Sequence, residues 1–208
     1  MGIRRALGTA LVLVALVGLV GGVALPGRPR LVIGESVSAD FEALARQTWD
    51  RFLAVFWARR DCFGDVRLEA AYGLNSRAGY DPDTATATVR VPGTAAMLQS
   101  GLIHEWAHHV EFQCGAHAEM RPAFLAAQGL PPDTPWRPAE ATTEVAAGTW
   151  ADIPSEQYAE AVIELVLGGR PIPTGAHVSP AAVRVVGDWA RDKAAAAVPE
   201  AAVQAGGE

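Results

Sequence analysis

Residues 102–112, LIHEWAHHVEF, bring three chemically active side chains within two helical turns. His104 and His108 are four residues apart, so on a helix they share a face and can grip one metal ion. Glu105 follows His104 directly. It can reach a water held at that ion without ligating the metal, and so act as general base. Zinc is the expected ion, one per chain. It takes nitrogen, oxygen or sulfur donors in a tetrahedral array, and a catalytic site keeps one position open. Two histidines therefore leave one protein ligand to be found.

The neighbours weigh against a chance occurrence of this spacing. Ile103, Trp106, Ala107 and Val110 are uncharged and surround the trio. A helix so apolar should be buried, and a buried His-Glu-His cluster needs partners, of which a metal ion is one. His109 lies four residues from Glu105, so a Glu105/His109 pair is a second geometric option. Otherwise His109 orients a ligand or sits at the surface. Glu111 falls near the His104/His108 face one turn on, where it can orient a ligand or meet solvent.

One group of zincins continues the motif with Gly and then His, but here those places hold Glu111 and Cys114. No aspartate in a Gly-Thr-x-Asp setting follows either. The remaining route is a glutamate on a later helix. Residues 154–164, PSEQYAEAVIE, supply Glu156 and Glu160 four apart on one helical face. The competing reading of Glu156, Glu160 and Glu164 is a solvated acidic stripe. With both segments in view, the chain resembles the gluzincin metallopeptidases, in particular compact members such as the catalytic domain of anthrax lethal factor. That resemblance covers two short segments. It implies His104, His108 and Glu156 as zinc ligands, Glu105 as general base, and Glu160 as the carboxylate behind them or the alternative ligand. It also implies hydrolysis of a peptide or protein substrate. One departure concerns the oxyanion. The lethal factor tyrosine that precedes the third ligand has no counterpart near Thr149 and Trp150, which leaves Tyr158, Tyr80, His109 and His177 as candidates. The alternative function is a non-catalytic extracytoplasmic binding module with a structural or vestigial metal site.

Several elements must position these residues. Phe41, Leu44, Ala45, Thr48, Trp49, Phe52, Leu53 and Phe56 recur at helical spacing over 40–59, with Ser38 or Asp40 as cap. Residues 65–72 alternate as a strand, 73–83 turn, and the Thr/Val-rich 84–91 form a second strand ended by Pro92. The zincin resemblance implies that this second strand lies at a sheet edge, where its backbone could pair with an extended substrate; the alternative is an ordinary sheet strand. Helices follow over about 94–114, 119–128, 154–168 and 180–196, with a short helical stretch at 139–147. The fold class is α+β and zincin-like: a small sheet of two or three strands packed on the active-site helix, then a mostly helical C-terminal part. Trp49, Trp57, Trp136, Trp150 and Trp189 are expected in the core.

The chain has 208 residues, half of them hydrophobic, enough for one sizeable core. A net charge of −6 without a basic run argues against a nucleic-acid surface. Arg4 and Arg5 precede an apolar run from Ala6 to Leu25, which reads as a signal peptide or a membrane anchor. The expected organisation is 1–25 signal or anchor, 26–38 linker, 39–196 metallopeptidase domain and 197–208 tail. The domain then lies outside the cytoplasm, secreted or membrane-tethered. In such an oxidising compartment Cys62 and Cys114 should form a disulfide stapling the first helix to the active-site helix.

Overall fold

A computed structural model describes residues 28–138 and 150–192. The apolar N-terminal run, the helical stretch at 139–147 and the tail at 197–208 lie outside the described residues. Among the described residues no helix is long and apolar enough to cross a membrane.

The architecture is mixed α+β. Strand β1 (Leu31–Ile33) leads into helix α1 (Ala39–Val55), a 3-10 segment (Trp57–Cys62), and strands β2 (Val66–Ala71), β3 (Ala78–Asp81) and β4 (Thr86–Arg90). Helices α2 (Ala95–Gln113), α3 (His117–Gln128), α4 (Pro154–Leu167) and α5 (Pro180–Ala190) follow, with a short 3-10 turn at Trp150–Asp152 before α4. The sheet runs β1-β2-β4-β3, parallel except for the antiparallel β3–β4 pair.

This corrects three expectations. The sheet has four strands, not two or three. The expected linker contains β1, and the expected turn contains β3 followed by the actual reversal. There Asp81 Oδ1 accepts from Asp83 N at 3.0 Å and Asp81 Oδ2 from Thr84 Oγ1 at 2.6 Å. The Thr/Val-rich strand β4 is interior, bonded on both sides, and among the described residues the edges of the sheet are β1 and β3. Both missed strands are three or four residues long. Their sequence signal is weak because cross-strand pairing rather than local preference creates them.

Several helix ends follow local signals, although α1 closes at Val55, short of the expected 59. Thr94 Oγ1 accepts from Met97 N at the start of α2. Gly129 and Gly168 end α3 and α4 at φ 72 and 75, a left-handed backbone that glycine adopts without a Cβ penalty. Pro154 and Pro180 occupy first turns, where no backbone donor is lost. Helix α5 closes at Ala190, short of the expected 196.

Helix α2 is the central element. It packs on α1, on β3 and β4, and on α4. Trp106 on α2 meets Trp49 and Phe52 of α1 edge to face, with centroids 4.9 and 5.7 Å apart. A second aromatic group, His117, Phe124, Trp136, Tyr158 and Trp189, ties α3 to α4 and α5. Trp49, Trp136 and Trp189 are core residues as expected, whereas Trp57 and Trp150 are about half exposed. The Cys62–Cys114 disulfide is formed and pins the C-terminal end of α2 to the 3-10 segment that continues from α1.

Candidate metal centre

Burial makes the centre. From Leu98 to Glu111 most of α2 is inaccessible, including Glu105, His108, His109 and Glu111. Polar groups so placed must be paired. The i, i+4 spacing puts His104 and His108 on the face turned to α4, and the same spacing on α4 turns Glu156 and Glu160 back toward them.

The Nε2 atoms of His104 and His108 lie 3.2 Å apart. Glu156 Oε2 is 3.0 Å from the first and 3.5 Å from the second. His104, His108 and Glu156 can thus hold a metal ion between them. Glu160 stands behind, its Oε1 3.3 Å from His104 Nδ1. Its other oxygen accepts from Thr174 Oγ1 at 3.1 Å and Arg170 Nη1 at 3.5 Å. Glu111 does the same for His108, with Oε2 3.0 Å from Nδ1. Glu111 is itself held by Trp136 Nε1 at 2.6 Å and by Arg137 Nε at 2.7 Å, both to Oε1. Each imidazole therefore offers Nε2 to the centre and keeps Nδ1 against a carboxylate, the arrangement that fixes ring orientation in metal sites.

The charges agree with this geometry. Burial alone would lower the pKa of His104, but the carboxylates of Glu156 and Glu160 outweigh it and raise it to about 10. Burial opposes ionisation of Glu156 too, yet the two imidazoles hold it well below the usual carboxylate range. In Glu111 burial is likewise overcome, by His108 and Arg137, and the pKa falls to about 2. A place that draws protons onto its imidazoles this strongly also draws a divalent cation, and the two compete for the same Nε2 lone pairs.

Glu105 is buried beside His104. It lines a cavity of about 260 Å³ together with Gly101, His104, Trp150, Glu160 and Arg77. Burial raises its pKa, against the lowering effect of His104 and His108. Trp150 stacks on the His104 ring, centroids 5.8 Å apart.

Of the residues singled out in the sequence, His104, Glu105, His108, Glu156, Glu160 and Glu111 come together. His109 does not. It faces the sheet, with Nδ1 2.8 Å from the Tyr80 hydroxyl and Nε2 3.3 Å from the Gly64 carbonyl oxygen. Being one residue on from His108 turns it about 100° around the helix, away from α4. Tyr80 is thereby committed to His109, and Tyr158 is fully buried, so neither lines the cavity, nor does His177. Arg137, Arg170 and Thr174 had no signal of their own in the sequence, and Trp136 and Trp150 were expected only as core residues. They lie in segments without periodicity, and only the folded chain brings them to the carboxylates and to His104. Compared with family models, with curated proteins and with solved structures, the chain has no match.

Proposed function

We propose that the chain is a zinc-dependent peptide hydrolase of the gluzincin type, acting outside the cytoplasm on a peptide or protein substrate. The observation that carries this reading is the convergence of His104 and His108 from α2 with Glu156 from α4, beside a cavity that Glu105 lines. Tetrahedral zinc with ligands at about 2.0–2.1 Å separates its donor atoms by roughly 3.3–3.4 Å. The three separations here are 3.2, 3.0 and 3.5 Å, so the donor set fits that ion. Two imidazoles and one carboxylate, leaving a fourth position open, form the donor set of a catalytic rather than a closed structural zinc site. The disulfide supports an oxidising compartment.

A zinc ion bound there supplies Lewis acidity, polarising a carbonyl and lowering the pKa of water. The chain's residues do the rest. Glu105, its pKa raised by burial, accepts the proton of the attacking water and returns it to the leaving nitrogen. Glu160 and Glu111 hold the imidazoles in register. Strand β3, the free edge beside α2, takes the substrate-pairing role that the sequence assigned to β4.

The test is metal analysis of the purified chain followed by peptide digestion. One zinc per chain is expected, with cleavage abolished in Glu105→Gln while zinc is retained. Zinc-loaded protein whose cleavage survives that substitution would remove Glu105 from the reaction. The rival reading, a metal that only braces α2 against α4 in a binding module, draws on the absence of Tyr80, Tyr158 and His177 from the cavity. It requires that no peptide be cleaved and that a chelator unfold the protein.

A further inference from the structure

Resting on the peptide-hydrolase reading, we propose that Arg77 anchors a substrate carboxylate about two residues from the scissile bond. Among the described residues Arg77 is the one basic side chain other than His104 lining the cavity, and no ion pair engages it. Arg170, the nearby alternative, is already occupied with Glu160, Thr174 and the Ala176 carbonyl oxygen. An unpaired guanidinium offers a rigid fork of donors that matches a carboxylate.

The backbone holds Arg77 in place. Arg90 N donates to its carbonyl oxygen at 3.0 Å, which ties it to β4, and Ser76 Oγ donates to Ala78 O at 2.7 Å. Its neighbour Ala78 abuts α2 where Gly101 leaves room, since a Cβ at 101 would lie 3.5 Å from Ala78 Cβ. Gly101 is five residues before the level midway between His104 and His108, about 7.5 Å along the helix axis. Two residues of extended chain cover about the same length. Because β3 runs from Ala78 at Gly101 toward Tyr80 at His109, a peptide paired antiparallel to it brings a negative group to Arg77 when its second residue beyond the cleaved bond carries one.

Two sources have this chemistry, a chain-terminal carboxylate and an acidic side chain. The experiment uses full-length, zinc-loaded protein and peptides matched in sequence. One pair has a free or an amidated C-terminus two residues beyond the bond. The other is amidated and carries Glu or Gln there. At least one acid should exceed its neutral partner about tenfold in kcat/KM, chiefly through KM, and which pair responds names the source. In Arg77→Met that advantage should vanish, and Arg77→Lys should restore part of it. Equal handling of both pairs by the native chain would overturn the proposal. So would Arg77→Met slowing acids and neutral peptides by one common factor in kcat, which would make it an oxyanion partner instead. Should no peptide be cleaved, calorimetric titration of the same protein with N-acetyl dipeptide acids and amides decides. Acid-selective binding lost in Arg77→Met sustains the anchor while the hydrolase reading falls, and unselective or absent binding ends both.

Discussion

The carboxylate of Glu111 separates two roles, stability and ligand orientation. Its side chain is 1% exposed and opposes Arg137 at 23%. Glu111→Gln keeps an oxygen to accept from Trp136 but leaves the Arg137 charge uncompensated. Removing one partner of a buried ion pair costs about 3–5 kcal/mol, and with Arg137 partly wet the lower end applies, about 3 kcal/mol. In a domain of this size that lowers the Tm by roughly 6–12 °C. The same change deprives His108 Nδ1 of its carboxylate, which should weaken zinc binding about 10- to 100-fold. Adding Arg137→Met removes the stranded charge and should restore at least about 1 kcal/mol. It should not restore the zinc affinity, because His108 still lacks its partner. Urea unfolding of zinc-free protein reads the first quantity, and competition against a chelating dye reads the second. If Glu111→Gln binds zinc as tightly as the native chain, the role assigned to Glu111 is wrong. If the double variant recovers both quantities together, the two effects share a cause and the separation fails.

Three further outcomes follow from particular residues. Gly101→Ala should be tolerated and raise stability by up to about 1 kcal/mol from helix propensity, whereas Gly101→Leu should drive β3 off α2 and cut both stability and cleavage; thermal unfolding of the two variants checks the contrast. Replacing Cys62 and Cys114 by Ala opens a loop of sequence separation 52 and should cost up to about 4 kcal/mol by the chain-entropy model, measured by urea unfolding with and without reductant. His117 is kept neutral mainly by burial, its pKa lowered to about 3, whereas the unfolded chain takes up that proton near 6.5. The unfolded state then holds the extra proton between those values. Stability is therefore full above pH 6.5 and falls toward pH 3, by about 2 kcal/mol at pH 5. Subtracting the pH profile of His117→Met from the native one isolates this share, and identical profiles would contradict it.

The sequence was informative where one local rule dominates. The i, i+4 pairs on α2 and α4 placed four of the site residues, and cap and breaker residues placed the bounds of α2 and α4 and the end of α3, because each depends on a few neighbouring positions. It was silent where distant pairing decides. Strand β3, with the sequence AGYD, becomes a strand only because β4 supplies its ladder. His109 differs from His108 only in the face it presents, and that face is settled by Tyr80 and Gly64. Glu111 was ambiguous between orienting a ligand and meeting solvent until Trp136 and Arg137, 25 and 26 residues away, closed over it.

The three side chains that can hold a metal ion stand on two helices, and the first of these is covalently fastened at its far end. The donor atoms already meet in the folded chain, all three carried by helices, so the conformational entropy of assembling them is already spent when the chain folds. The centre is thus a ready-built receptacle. Ions should exchange in and out of it without backbone rearrangement, and a chelator should strip the metal while leaving the far-ultraviolet circular dichroism spectrum unchanged.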